Sequence, residues 1–170
     1  MKPCCSNALL ALVLAAAPTA AQAVQAEIKV WAEVDPTLAL LKPDGQPLST
    51  DAYMPYNPAT GLSDWSEDVR IFTNDTGKDV QVRLTRAVEL RPLVAASGAT
   101  PVPLTVSLNG RALSPVLQDF AASELFDGAL PGASIRMPLV IAQTYKVPIQ
   151  AAGYYEGMVS IVMSHRTASP

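Results

Sequence analysis

From residue 24 onward, short runs in which apolar residues recur at every second position alternate with turn residues. Between Val24 and Pro36, Ala26, Ile28, Val30, Ala32 and Val34 alternate with Gln25, Glu27, Lys29, Trp31, Glu33 and Asp35, which are polar except for Trp31. Successive Cβ atoms of a strand point to opposite faces, so this period predicts a half-buried β-strand. The same period predicts a strand from Val80, Val82 and Leu84, and another from Val102, Leu104, Val106 and Leu108. A third carries Ile135, Met137, Leu139 and Ile141 on its inward face, with Pro138 confined to an edge or a bulge. In the last stretch, Gly153 to Ser164, Tyr155, Val159, Ile161 and Met163 share a face on which Gly157 leaves a gap.

Turn chemistry separates these runs. Lys42–Pro47 contains Pro43-Asp44-Gly45, a tight turn in which Pro presets φ and Gly tolerates a positive one. The run Val69–Thr73 leads into the turn Asn74–Lys78, and Asn109-Gly110 suits a two-residue hairpin. Ser114–Gly128 departs from the period: it is rich in Ala and Glu, and Leu117, Phe120, Ala121 and Leu125 stand near helical spacing, which predicts one short helix across an end of the sheets. Several strands with little helix predict an all-β sandwich.

The first 23 residues read as an export signal. One Lys precedes a short apolar run that ends in Ala21-Gln22-Ala23, a small-x-small cleavage site. Cleavage there leaves 147 of the 170 residues, enough for one core. Both cysteines, Cys4 and Cys5, precede the apolar run, which disfavours a lipid anchor because a lipobox Cys follows it. The remaining chain has neither a disulfide nor a thiolate ligand. Once Lys2 is gone, 11 basic residues face 15 acidic ones without a basic cluster, a poor match for nucleic acid.

The inventory for catalysis is thin. His165 is the single histidine and reads as a solvated tail residue; without a second His or a Cys, no Cys/His pair or His-rich metal site can be built, and no Gly-x-Ser-x-Gly elbow occurs. Asp64–Asp68 lacks the regular oxygen spacing of a calcium loop and reads as a solvated loop. Asn74-Asp75-Thr76 fits a glycosylation sequon and equally an ordinary turn. The expectation is a non-enzyme with no cofactor and no metal.

With "IKVWAEVDPTLALLKPDG", "YNPATG", "FTNDTGKDVQVRL", "PLTVSLNGRALS" and "AAGYYEGMVSIVM" in the same order along the chain, the sequence resembles the major pilins of the alpha class of chaperone–usher fimbriae. The resemblance implies an all-β, incomplete immunoglobulin-like sandwich, completed in trans by a neighbour's N-terminal donor strand. Carried onto this chain, it implies a cleaved signal at 1–23, a donor strand and linker at 24–36, and a pilin domain at 37–170. Ala26, Ile28, Val30, Ala32 and Val34 would enter a neighbour's groove, and Asp35 and Pro36 would form the hinge. Tyr155, Gly157, Val159, Ile161 and Met163 would line the acceptor groove. Implied partners are identical pilins in a head-to-tail homopolymer, a periplasmic chaperone, an outer-membrane usher, a tip adhesin and, through that tip, a host-cell receptor. Periodicity alone leaves open a self-contained secreted β-sandwich that binds a ligand, with the first strand folded into its own sheet.

Overall fold

The computed structural model describes residues 38–94 and 98–167; the expected donor strand and hinge, 24–36, lie outside the described residues. In chain order the elements are β1 (Ala39–Leu41), β2 (Tyr56–Asn57), β3 (Gly61–Leu62), β4 (Trp65–Phe72), β5 (Val80–Leu84), β6 (Val88–Pro92), β7 (Val102–Leu108), β8 (Arg111–Leu113) and β9 (Gln118–Phe120). There follow α1 (Ala122–Leu125), β10 (Met137–Gln143), β11 (Tyr155–Glu156) and β12 (Ile161–His165). One sheet runs β1-β4-β10-β7-β6-β11, with β8 also on β7; a second runs β12-β5-β9; β2 and β3 form a small hairpin. The strand pairs are antiparallel, as short turns allow.

The core lies between the two main sheets. Val80, Val82 and Leu84 of β5 are buried while Gln81 and Arg83 between them are not, as their alternation predicts. Opposite them stand Val69 and Ile71 of β4, Val106 and Leu108 of β7, and Met137, Leu139 and Ile141 of β10. Asn109 and Gly110 both take positive φ, 50° and 77°, the conformation of a two-residue hairpin turn, and join β7 to β8. Gly45 likewise has φ 83° in the turn closed by the Gly45 N–H to the Lys42 carbonyl at 2.9 Å.

Several sequence expectations change. The helix is real but only four residues long, and Gln118–Phe120 before it is a strand; Leu117 is exposed. Phe120 pairs beside Val80 at the edge of β5, and Asp79 Oδ1 accepts the Ala122 N–H at 2.9 Å, so edge pairing claims the residues that helical spacing had joined. Pro138 sits inside β10, between β4 and β7, not on a sheet edge. Its carbonyl accepts the Asn109 N–H at 2.9 Å, and groups of one residue point the same way in an antiparallel strand, so the missing N–H faces the hairpin turn just past the last paired residue of β7. Trp65–Asp68 is the first half of β4 and not a loop. Glu67 on the inward face hid that strand's period. His165 is half-buried at the end of β12, with Nε2 3.2 Å from Thr73 Oγ1 and Nδ1 buried without a hydrogen-bond partner.

Candidate functional site: an open groove beside the last strand

The final run, Tyr155 to Met163, is not one continuous strand. Tyr155 and Glu156 pair with Pro92 and Arg91 at the edge of the larger sheet, and Ile161–His165 pair with β5 in the smaller one. The chain crosses between sheets at Gly157–Ser160. Gly157 makes the crossing possible: a β-carbon there would stand 2.5 Å from the Glu89 carbonyl oxygen, closer than real contacts allow. The predicted gap is therefore a point of close backbone approach.

Beyond the crossing, β12 is an edge strand of its sheet among the described residues. The Thr85 N–H donates to the Ser160 carbonyl and the Arg166 N–H to the Asp79 carbonyl, both at 2.9 Å, so Ser160, Val162, Ser164 and Arg166 direct their backbone groups to β5. Ile161 and Met163 direct theirs the other way, where no described strand pairs with them. Their side chains, with Val159, are half-buried, whereas their partners on β5 are buried. Among the described residues, this inward face is therefore only partly covered.

That missing cover has a measurable volume. A cavity of about 700 Å³ runs along β12, and Tyr155, Gly157, Val159, Ile161 and Met163 all line it. Its floor is Trp65, Leu139 and Ile141, and Leu40 and Leu48 stand on the opposite side. The structure thus brings the five predicted acceptor positions into one groove. Sequence reading missed the floor and the far lip. Trp65 shares its parity with Val69 and Ile71, which was the available signal; nothing in Leu48–Tyr53 marks it as a lip.

Electrostatics fasten that lip. Glu67 Oε1 accepts the Ser49 hydroxyl at 2.7 Å and Oε2 the Ser49 N–H at 3.2 Å, and Lys42 Nζ lies 3.2 Å away. Burial pushes the Glu67 carboxyl up, but the Ser49 hydrogen bonds and Lys42 outweigh it and hold the group below its ordinary value. At the far end, Gln143 Oε1 accepts the Leu62 N–H and its Nε2 donates to the Val147 carbonyl, which fixes the β2–β3 hairpin. An apolar trough beside an unpaired strand edge can accept an extended peptide with alternating apolar side chains.

Comparison with known proteins decides the family. The model for the CS1 type fimbrial major subunit matches residues 24–164. This chain belongs to the CS1 type fimbrial major subunit family. It is 32% identical over 160 residues to a fimbrial subunit of CFA/I from Escherichia coli O78:H11, covering 91% of this chain and 93% of that protein. To a CS1 fimbrial subunit of Escherichia coli it is 29% identical over 170 residues, covering 93% and 95%. The solved CooA pilin subunit from enterotoxigenic Escherichia coli superposes with a TM-score of 0.68 at 25% identity, over 79% of this chain and 91% of that one. The pilin is an immunoglobulin-like β-sandwich, a subunit of a surface fimbria that polymerises with other pilins.

Proposed function

We propose that this pilin polymerises by strand donation, residues 24–36 of one copy filling the groove beside β12 of the next. The observation that carries the reading is the edge at Ile161 and Met163, unpaired among the described residues, beside a largely apolar cavity of about 700 Å³. Ala26, Ile28, Val30, Ala32 and Val34 supply the alternate apolar side chains such a groove takes, and backbone groups pair with the free edge. Burying Ile28, Val30 and Val34 stabilises the joint by roughly 1.5–3 kcal/mol each. Asp35 and Pro36 then form the hinge, since Pro cannot donate to a ladder and ends the strand.

The same exposed groove requires a guardian before assembly, because an open edge over apolar surface aggregates. A periplasmic chaperone fills that role, with an outer-membrane usher exchanging it for the next pilin copy and an adhesin at the tip meeting the host receptor. The pilin itself works as a non-catalytic rod component, exported by the signal at 1–23 and folded over 37–170.

The test is a gel of surface-sheared material with and without boiling in detergent. A ladder of pilin multiples that collapses to one band on boiling supports strand donation, and Ile28→Asp with Val30→Asp should abolish it. A monomer band without boiling, from folded and abundant protein, refutes it in favour of a strand that closes its own sandwich.

A further inference from the structure

A second concavity adjoins the groove at its Tyr155 end. It is an open bay of about 590 Å³ walled by Tyr53, Tyr56, Leu62, Ile149 and Tyr154, and it shares Ala52, Tyr53 and Tyr155 with the groove. Tyr53 and Tyr154 are 81% and 83% exposed. Tyr56 and Tyr155 are held in place: the Tyr56 hydroxyl donates to the Ile149 carbonyl at 3.2 Å, and the Tyr155 hydroxyl to the Ala151 carbonyl at 2.9 Å. Large rings with few rotatable bonds, gathered in one exposed concavity, suit a protein contact.

We infer that this tyrosine-lined bay seats the body of the neighbouring copy, beginning with the residues that follow its donated segment. The inference rests on the strand-donation reading and adds a surface to it. Continuity with the groove is the first argument. The second is the close approach at Gly157, where the crossing chain lies against the backbone of β6 with no room for a β-carbon. Five alternating donor positions match the five from Tyr155 to Met163 one to one, with Val30 beside Val159 in either direction. A donor antiparallel to β12 brings Ala32 to Gly157; a parallel one brings the much larger Ile28. The smaller side chain fits, so Val34 lies beside Tyr155, and Asp35, Pro36 and Thr37 emerge over the bay. The Pro36 ring, with no N–H to satisfy, is a fitting neighbour for exposed tyrosine faces.

Cysteine pairs test this in the pilin assembled on cells, which carries no other thiol once the signal at 1–23, with Cys4 and Cys5, is removed. Thr37→Cys with Ala152→Cys should give a ladder that survives boiling and collapses on reduction. Thr37→Cys with Ser164→Cys, at the opposite end of the groove, should not. A ladder that still falls to monomer on boiling for the first pair, or survives for the second, overturns the inference. A parent chain that forms no ladder defeats strand donation itself, a separate result. Because disulfide geometry is demanding, Tyr53→Ser with Tyr154→Ser provides an independent measurement on two exposed residues. It should leave the ladder intact at first but speed its decay in warm detergent at least tenfold, and an unchanged decay rate overturns the inference.

Discussion

Gly157 rests against the backbone of Glu89 so closely that a methyl group at residue 157 would stand 2.5 Å from the Glu89 carbonyl oxygen. Gly157 begins the crossing from β11 to β12, strands of different sheets, and this contact lays that crossing against β6. Gly157→Ala should therefore cost about 1–3 kcal/mol, because the obstructing atom is backbone and cannot swing away. Chemical denaturation of the monomer measures it; an unchanged midpoint would mean that the crossing shifts freely.

Ile161 and Val82 lie on adjacent strands, β12 and β5, yet they should respond in opposite ways to the same substitution. Val82 is 0% exposed, and an aspartate there leaves a charge unpaired in the core, so Val82→Asp should unfold the protein. Ile161 is half-buried and faces the open cavity, where a carboxylate keeps access to water. Ile161→Asp should retain the circular dichroism of the folded protein and lose the detergent-resistant ladder. If it unfolds as Val82→Asp does, the face is core and no groove is waiting to be filled.

The hairpin at Asn109-Gly110 isolates a backbone effect. Gly110 has φ 77° and nothing within 4 Å of where a side chain would begin, so Gly110→Ala introduces strain without a clash. The expected cost is roughly 1–2 kcal/mol, the penalty of a left-handed conformation for an L-residue. A loss well above that range in equilibrium unfolding would show that the turn does more than reverse the chain.

Most of the sandwich was legible in residues whose side-chain alternation coincides with burial. Val80–Leu84 and Val102–Leu108 are the clear cases, and Asn109-Gly110 between strands announced its turn by chemistry alone. What was hidden depends on tertiary contacts. Glu67 points inward, where period alone demands an apolar residue, because Ser49 and Lys42 satisfy it. Phe120 belongs to a strand edge because Val80 is there to receive it. Tyr155, Val159, Ile161 and Met163 were legible as one face, but the break at Gly157 was not, since it shows only where that residue packs against Glu89, far away in sequence. The groove's floor and its Leu48–Tyr53 lip arise only when β4, β10 and β12 come together.

That lip is where acid should act. Glu67, with only 16% of its side chain exposed, ties Ser49 to β4, and its carboxyl is held below the ordinary glutamate value. A group whose pKa is lower in the folded state binds protons more readily when unfolded, so stability rises with pH through that interval. The Glu67 contribution is complete above the unfolded-chain value of about 4.3 and is lost as pH falls through the lower folded value. Glu67→Gln should reduce stability at neutral pH by about 1 kcal/mol, since the hydrogen bonds weaken and Lys42 loses its partner. The same variant should show a flatter stability profile below pH 5 than the parent, because one linked proton has been removed. Amide exchange at Ser49, compared at neutral and acidic pH, locates the effect: protection should fall with acid in the parent and be weak at both values in Glu67→Gln. Equal protection in the two proteins at neutral pH would mean that the lip is held by packing of Leu48 and not by the carboxylate.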